Sequence, residues 1–301
     1  MPALPFLLNA IYSPQAMIAR KKSIGEKMKI LISADMEGVS GVTRWEETDP
    51  AHKEYARFRR IMTEEVNAAI TGAADAGATE FVVADGHGDG INLMIEELDG
   101  RARLNSGGGS PLSMMQGMDP ETAGVLFIGY HARAGSQNAV LAHTWSSGRI
   151  ANVWLNGVLV GEYGLNAAVA GHFGVPILMI SGDQATCAQA VELLGPLETA
   201  VVKQASGYFS AECLSPKVTL PMISKTAKRA VLSLKGGTAP RPFIVQPPVK
   251  ITIEFRQPEA TDRATRLPGA KRLDGLRIEF TVQDMLVAHA GFRAAVKQAY
   301  D

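Results

Sequence analysis

The sequence predicts an α/β protein with a mostly parallel sheet flanked by helices, and a smaller α+β domain at the C-terminal end. Short apolar runs of buried-strand length alternate with helical segments through residues 28–205, which is typical of parallel sheets. From about residue 206, apolar and polar residues alternate within two later segments, which indicates strands with one exposed face. The expected organisation is an N-terminal extension (1–27), an α/β domain (28–205) and a smaller α+β domain (206–301).

The predicted strands of the α/β domain are apolar runs followed by polar or turn-forming residues. They lie at Ile30–Ile32, Phe81–Ala84, Val125–Ile128, Ala139–Ala142, Pro176–Ile180 and Ala200–Val202. A hairpin is predicted over Val153–Val160, because Asn156-Gly157 favours a tight turn between two strands. The predicted helices lie at Tyr55–Ala76, Ile91–Leu98, Glu162–Gly171 and Ala188–Leu194. Strands that alternate with helices predict right-handed crossovers between parallel strands.

The smaller domain is predicted to begin with a helix over Ile223–Leu234. A segment rich in Gly and Pro, Lys235–Pro248, connects it to two alternating strands, Ile251–Phe255 and Arg277–Val282. The closing helix is predicted over Asp284–Tyr300, with the Asp284 side chain as its N-cap.

The composition excludes several classes of function. Lys and Arg together number 30, as do Asp and Glu, so the formal net charge is zero. Nucleic acid or an anionic membrane as the main partner needs a basic surface, and we expect neither. No apolar run is long enough to span a membrane. The two cysteines, Cys187 and Cys213, are too few for a disulfide framework, which favours a reducing compartment such as the cytoplasm.

Residues 1–27 do not fit the α/β pattern. Leu4–Tyr12 is apolar, like the middle of a signal peptide, but the charges at Arg20–Lys22 follow it instead of preceding it. Because Met28 directly precedes the first clear strand, we interpret residues 1–27 as an upstream extension or a misplaced start. The alternative is a peripheral helix that packs on a neighbouring subunit.

Acidic and histidine side chains follow several predicted strands. Asp35 and Glu37 follow the first strand two positions apart, so both carboxylates leave an extended chain on one face. His87 and His131 follow later strands, and Glu162 begins a helix after the hairpin. Ligands bind beyond the carboxyl ends of strands in open α/β sheets, so these five side chains are expected to converge. Mixed nitrogen and oxygen ligands suit Zn²⁺, with Mn²⁺ or Co²⁺ as substitutes, and five ligands indicate two ions about 3.5–4 Å apart.

Each of these residues also has a purely structural interpretation. The two acids could be solvated at a strand end, His87 could cap a glycine turn, and His131 could be a satisfied core histidine. Glu162, in the first turn of a helix, could simply complement the helix dipole. Their joint placement at strand ends favours the metal site over four separate explanations.

Five motifs add a resemblance to a known family. They are Ser33–Gly41 (SADMEGVSG), Met62–Glu65 (MTEE), Gly129–Ala134 (GYHARA), Gly161–Ala167 (GEYGLNA) and Cys213–Pro216 (CLSP). Together they are specific, and from about residue 28 to the C-terminus the chain resembles the D-aminopeptidase family, the M55 metallopeptidases. The resemblance implies a two-zinc centre in each subunit, held by Asp35, Glu37, His87, His131 and Glu162.

The same resemblance implies a catalytic role for His143. It also implies ring-shaped homodecamers whose active sites face an inner channel, and short peptide substrates with an N-terminal D-residue such as D-Ala. Two departures stand out. Asp85-Gly86-His87-Gly88 replaces the more usual Asn-Asp-Ser-His-Ser pattern, and residues 1–27 have no counterpart.

Three hypotheses about function remain open. The first is a metallo-aminopeptidase, in which His143 acts as base, as nucleophile or as donor to the oxyanion, and Asp85 or Asp183 holds the substrate ammonium. We rank base or donor above nucleophile, because metal-activated water already supplies a nucleophile. The second is a binuclear metal phosphoesterase, for which Arg133 is the obvious phosphate-binding cation. The third is a non-catalytic scaffold stabilised by metal.

Overall fold

The structure, a computed structural model, describes residues 27–300, so the proposed extension lies outside the described residues except for Lys27. The strands and helices of the described residues are β1 (Lys29–Ala34), α1 (Tyr55–Asp75), β2 (Glu80–Asp85), β3 (Ala102–Asn105), β4 (Thr122–Ile128), β5 (Ile150–Leu155), β6 (Val158–Val160), α2 (Glu162–His172), β7 (Ile177–Asp183), α3 (Gln184–Leu194), β8 (Glu198–Gly207), β9 (Ser210–Cys213), α4 (Pro216–Lys235), β10 (Val249–Phe255), α5 (Pro258–Ala264), β11 (Lys271–Arg272), β12 (Arg277–Val282) and α6 (Met285–Tyr300). No described helix has the length and apolarity needed to cross a membrane.

The larger sheet has the order β3-β2-β1-β4-β7-β8-β9. Its neighbours pair in parallel except for β9, which runs antiparallel to β8. A second sheet, β11-β12-β10-β5-β6, is antiparallel. The predicted α/β class with a mostly parallel sheet is confirmed.

Successive residues of β1 contribute to two different cores. Ile30 and Ile32 pack with α1 and α4 on one face of the larger sheet, whereas Leu31 packs with α2 and the second sheet on the other. All three are fully buried. Because both faces are covered, the strand is a continuous apolar run without the alternation of a half-exposed strand.

The layers do not follow chain order. The predicted hairpin forms β5 and β6, and it joins the second sheet beside β10. Helix α4 packs against α1 over the larger sheet, so close that the backbone of Ser224 touches Gly72. The boundary at residue 205 stays a prediction, since shared sheets and cores do not by themselves define separate folding units.

Two predicted elements are absent, and others, among them helix α4, are longer than predicted. Residues 91–98 form turns, because Asp85 captures the backbone N–H groups of Asn92 and Leu93. Residues 139–142 form no strand, since Leu141 has φ +50°, outside the extended region. Helix α4 begins at Pro216 and not at residue 223, because Ser215 accepts the N–H of Lys217 as an N-cap.

Backbone hydrogen bonds join the turn after β1 to the end of β4. The N–H of Asp35 donates to the carbonyl of Ile128 at 2.8 Å, and the N–H of Gly38 donates to that of Gly129 at 2.8 Å. A Cβ on Gly38 would lie 1.9 Å from the carbonyl oxygen of Tyr130. Strand β1 lies between β2 and β4, so the carboxyl ends of three neighbouring strands meet above this turn.

Candidate metal centre

The structure brings together all six side chains singled out in the sequence. Asp35 and Glu37 follow β1, His87 follows β2, His131 follows β4, His143 lies between β4 and β5, and Glu162 is the first residue of α2. All are buried except His87, whose side chain is 15% exposed. The convergence expected from the strand ends is therefore present.

Nitrogen and oxygen atoms of these side chains face one another closely. Nδ1 of His87 lies 3.1 Å from Oε2 of Glu37 and 3.5 Å from Oδ1 of Asp35. Nε2 of His131 lies 3.1 Å from Oε1 of Glu162 and 3.4 Å from Oδ2 of Asp35. The two histidine–carboxylate groups thus share Asp35, which lies between them.

His143 completes the cluster on the side of Glu162. Its Nε2 lies 3.6 Å from Oε1 of Glu162 and 3.9 Å from Oε1 of Glu37. Its ring stacks on that of His131, with centroids 4.0 Å apart. Oε1 of Glu162 in turn accepts the backbone N–H of Trp145 at 2.7 Å, which fixes the carboxylate.

Each imidazole is anchored through one nitrogen to a backbone carbonyl. A carbonyl can only accept, so that nitrogen carries a proton, and the other nitrogen faces the carboxylates. A lone pair on that nitrogen would repel the carboxylate lone pairs, so a proton or a metal ion must lie between them. Metal-ligating histidines show this same second hydrogen bond. The bonds join His87 Nε2 to Thr48 (3.0 Å), His131 Nδ1 to Ala132 (3.0 Å) and His143 Nδ1 to Leu141 (2.8 Å).

The cluster raises the pKa of Asp35, His131 and His87, so these three groups hold protons more tightly than usual. Burial, reinforced by the charge of Glu37, raises the pKa of Asp35 to about 7. Burial alone would lower the pKa of His131, but the charge and hydrogen bond of Glu162 raise it to about 10. Burial would also lower the pKa of His87, but the charge of Glu37, together with the hydrogen bonds to Asp35 and Glu37 and the charge of Asp35, raises that pKa well above its usual value. Protons at these positions take the place that a metal ion would fill.

The titration of His143 is shifted in the opposite direction. Burial, followed by the nearby charge of His131, lowers the pKa of His143 below its usual value. The ring is therefore neutral at neutral pH, with its Nε2 lone pair directed at the cluster. This state suits a group that accepts a proton.

An orphaned oxygen provides a direct test of whether a metal fits. Oδ2 of Asp35 is buried and accepts no hydrogen bond among the described residues. Buried carboxylate oxygens are rarely left unsatisfied, and a metal ion held by this oxygen and Nε2 of His131, 3.4 Å away, would satisfy both atoms. Ligand atoms within 4.8 Å of one another form two groups, Asp35 with Glu37 and His131, and His131 with His143 and Glu162. Imidazole and carboxylate donors suit zinc, and the residues present fit it.

The structure overturns the two carboxylates expected to hold a substrate ammonium. Asp85 accepts the N–H groups of Asn92 and Leu93 and the Asn92 amide, at 2.6–2.7 Å. Asp183 caps helix α3 by accepting from Thr186, and its other oxygen accepts the N–H of Val140 at 2.8 Å. Both carboxylates are saturated by the fold, so neither is free for a ligand.

A cleft beside His143 was not apparent from the sequence. It has a volume of about 300 Å³ and is lined by Arg44, Trp45, Glu46 and Phe209. Trp45 lies edge-on to the His143 ring, with centroids 5.3 Å apart, and Phe209 is 54% exposed on the turn between β8 and β9. The aromatic wall is assembled from segments more than 160 positions apart, and no local pattern signals such a pairing.

Known proteins match nearly the whole described chain. A family model described as peptidase M55, D-aminopeptidase, matches residues 28–294. A D-aminopeptidase of Bacillus subtilis (strain 168) is 38% identical over 264 residues, which cover 87% of this chain and 94% of the relative. The fold is similar to that of the Zn-dependent D-aminopeptidase DppA from Bacillus subtilis, a self-compartmentalizing protease, with a TM-score of 0.87 and 36% identity. That similarity covers 91% of this chain and 98% of the other.

Proposed function

Because the chain belongs to the D-aminopeptidase family of M55 metallopeptidases, we propose that it is a zinc-dependent aminopeptidase that releases an N-terminal D-residue, such as D-Ala, from short peptides. The observation that carries the proposal is the orphaned Oδ2 of Asp35, buried amid histidines and carboxylates. A buried carboxylate of this kind is stabilised either by taking up a proton or by a cation beside it, and a zinc ion would be that cation.

We assign two zinc ions to each subunit, held by Asp35, Glu37, His87, His131 and Glu162. The position of Asp35 between two histidine–carboxylate groups, one with His87 and one with His131, supports this number. The zinc dependence of the similar protein DppA supports the choice of metal. When bound, zinc supplies Lewis-acid polarisation of the scissile carbonyl and activation of water.

His143 is the proposed catalytic base. Its Nδ1–H is held by the carbonyl of Leu141 at 2.8 Å, so only Nε2 is available to accept a proton from the attacking water. The lowered pKa keeps the ring neutral before the reaction begins. The same Nε2–H then protonates the leaving amine. We favour a base over a nucleophile because zinc, when bound, would already supply activated water as the nucleophile.

The cleft next to His143 suits a short peptide. Trp45 and Phe209 provide apolar walls, whereas Arg44 and Glu46 supply one positive and one negative charge. A free dipeptide carries the same pair of charges at its two ends. Because Asp85 is saturated, Glu46 replaces it as our candidate partner for the substrate ammonium.

We further propose a ring-shaped homodecamer in the cytoplasm. The self-compartmentalizing character of DppA supports the ring. The location is supported by two free cysteines, Cys187 and Cys213. Light scattering should give ten copies of the 32.1 kDa chain.

Metal analysis combined with matched substrates tests the proposal. We expect about two zinc ions per chain, hydrolysis of D-Ala-D-Ala, little hydrolysis of L-Ala-L-Ala, and none of p-nitrophenyl phosphate. The Asp35→Asn variant should lose both zinc and activity. Phosphate-ester cleavage without amide cleavage would instead establish the phosphoesterase, and metal binding without any hydrolysis would establish the scaffold.

A further inference from the structure

A single buried lysine binds three backbone carbonyls in the segment that follows β1 and carries Asp35 and Glu37. Nζ of Lys203 donates to the carbonyls of Glu37 at 2.6 Å, Val39 at 3.0 Å and Val42 at 2.6 Å. An ammonium has three protons, so these three acceptors satisfy it completely. The three carbonyls all belong to residues 37–42, directly after β1.

The position of Lys203 makes this arrangement unusual. The residue lies on β8 and is 1% exposed. Lysine is almost never fully buried unless it is paired, because its ammonium loses a large hydration free energy. A methionine would fill a similar volume on β8 without that penalty. The contacts of Lys203 therefore indicate a need for its three donors and its charge.

Those contacts act on the geometry of the cluster. The carbonyl of Glu37 belongs to a proposed ligand, and Val39 and Val42 follow on the same turn. The far side of the turn is held by Glu65, which accepts the N–H and the hydroxyl of Ser40. Lys203 thus fixes the backbone from which the Glu37 carboxylate is aimed.

We propose that Lys203 is a positioning residue of the metal centre, whose ammonium holds residues 37–42 so that Glu37 and Asp35 meet the metal ions in the required geometry. The inference rests on the proposed zinc site, but not on any substrate. Partners in the outer shell of a metal site typically change its affinity by about 10- to 100-fold.

The chain offers a matched control at the opposite end of β1. Lys29 is also buried, at 8% exposure. Its Nζ donates to the carbonyl of Gly117 at 2.9 Å and pairs with Asp119 at 2.6 Å, remote from the cluster. Replacing Lys29 by methionine removes a buried, bonded ammonium from the start of β1, the strand that leads into residues 37–42, without touching that segment.

The test compares Lys203→Met with Lys29→Met in the full chain. Zinc affinity is measured by competition with a chromophoric chelator, site geometry by the absorption spectrum of the Co²⁺-substituted protein, and stability by thermal unfolding with EDTA. We expect Lys203→Met to bind zinc at least about 10-fold more weakly, with an altered Co²⁺ spectrum. We expect Lys29→Met to lower the unfolding temperature while its zinc affinity stays within about twofold of the wild type, since it touches no ligand.

Three results are decisive. Wild-type zinc affinity and an unchanged Co²⁺ spectrum in Lys203→Met overturn the inference, as does an equal loss of affinity in Lys29→Met. If Lys203→Met does not fold, Lys203→Gln, whose amide can still donate to two carbonyls, carries the same expectation and the same refutation. A wild-type protein that binds no zinc refutes the proposed function itself, so the two failures are distinguishable.

Discussion

One methyl group added to Gly38 should separate the two halves of the metal centre. A Cβ on Gly38 would lie 1.9 Å from the carbonyl oxygen of Tyr130, and real Cβ atoms essentially never approach closer than 3.0 Å. The turn must therefore move away from the end of β4 by at least the difference, about 1.1 Å. Asp35 and Glu37 lie on one side of this gap and His131 lies on the other.

Metal coordination does not tolerate such a shift. Metal–ligand distances vary by only about 0.2 Å, so a displacement of about 1.1 Å exceeds the tolerance several times over. We expect Gly38→Ala to weaken zinc binding by at least about 100-fold, and peptide hydrolysis to fall with it. Overpacking should also destabilise the fold by about 1–3 kcal/mol.

Gly72→Ala provides the matched comparison. Its Cβ would also lie 1.9 Å from a backbone oxygen, that of Ser224, but the contact joins α1 and α4 away from the cluster. Both variants are titrated with zinc against a chromophoric chelator and unfolded thermally in EDTA. Similar unfolding temperatures with a zinc defect in Gly38→Ala alone support the reasoning. Zinc affinity within a few-fold of the wild type in Gly38→Ala refutes it.

Four other variants or treatments have expected outcomes. His143→Ala should keep its zinc while kcat falls by about 10²–10⁴-fold, as for loss of a general base. Phe209→Ala should raise KM several-fold with a smaller change in kcat, because the side chain lines the cleft but touches no reacting atom. Burial raises the pKa of the Cys187 thiol to about 12, whereas Cys213 is exposed, so Ellman's reagent should modify one thiol in the native protein and two after denaturation. Burial lowers the pKa of His289 from 6.5 to about 3, so the unfolded chain takes up that proton first as the pH falls. The contribution of His289 to the free energy of unfolding is full above pH 6.5 and declines as the pH falls towards 3. Between about pH 7.5 and about pH 5, the free energy of unfolding should therefore fall by about 2 kcal/mol less in His289→Leu than in the wild type.

Each of these expectations has a contrary result. Zinc loss in His143→Ala would make His143 a ligand, and unchanged turnover would remove it from the mechanism. An unaltered KM in Phe209→Ala would separate the cleft from substrate binding. Two reactive thiols in the native protein would contradict the burial of Cys187. Equal pH dependence of urea unfolding in His289→Leu and wild type would show that folding does not lower the pKa of His289.

Local patterns were enough to predict much of this molecule. The apolar runs of β1 and β4 and the Asn156-Gly157 turn depend on residues adjacent in the chain, so spacing alone predicts them. The acids and histidines at strand ends could be found for the same reason. The resemblance to the M55 family agreed with that ligand set and added His143, which periodicity does not distinguish from a core residue.

Long-range packing settled what those patterns could not. Asp183 looks like a free acid in the sequence, yet in the folded chain it accepts the backbone N–H of Val140, 43 positions away. The three donors of Lys203 meet their acceptors across more than 160 residues. Periodicity records which face of an element is buried, whereas hydrogen-bond partners depend on how the elements are brought together in space. Only in the folded chain do a lysine on β8 and a glycine after β1 come together beside the proposed metal centre.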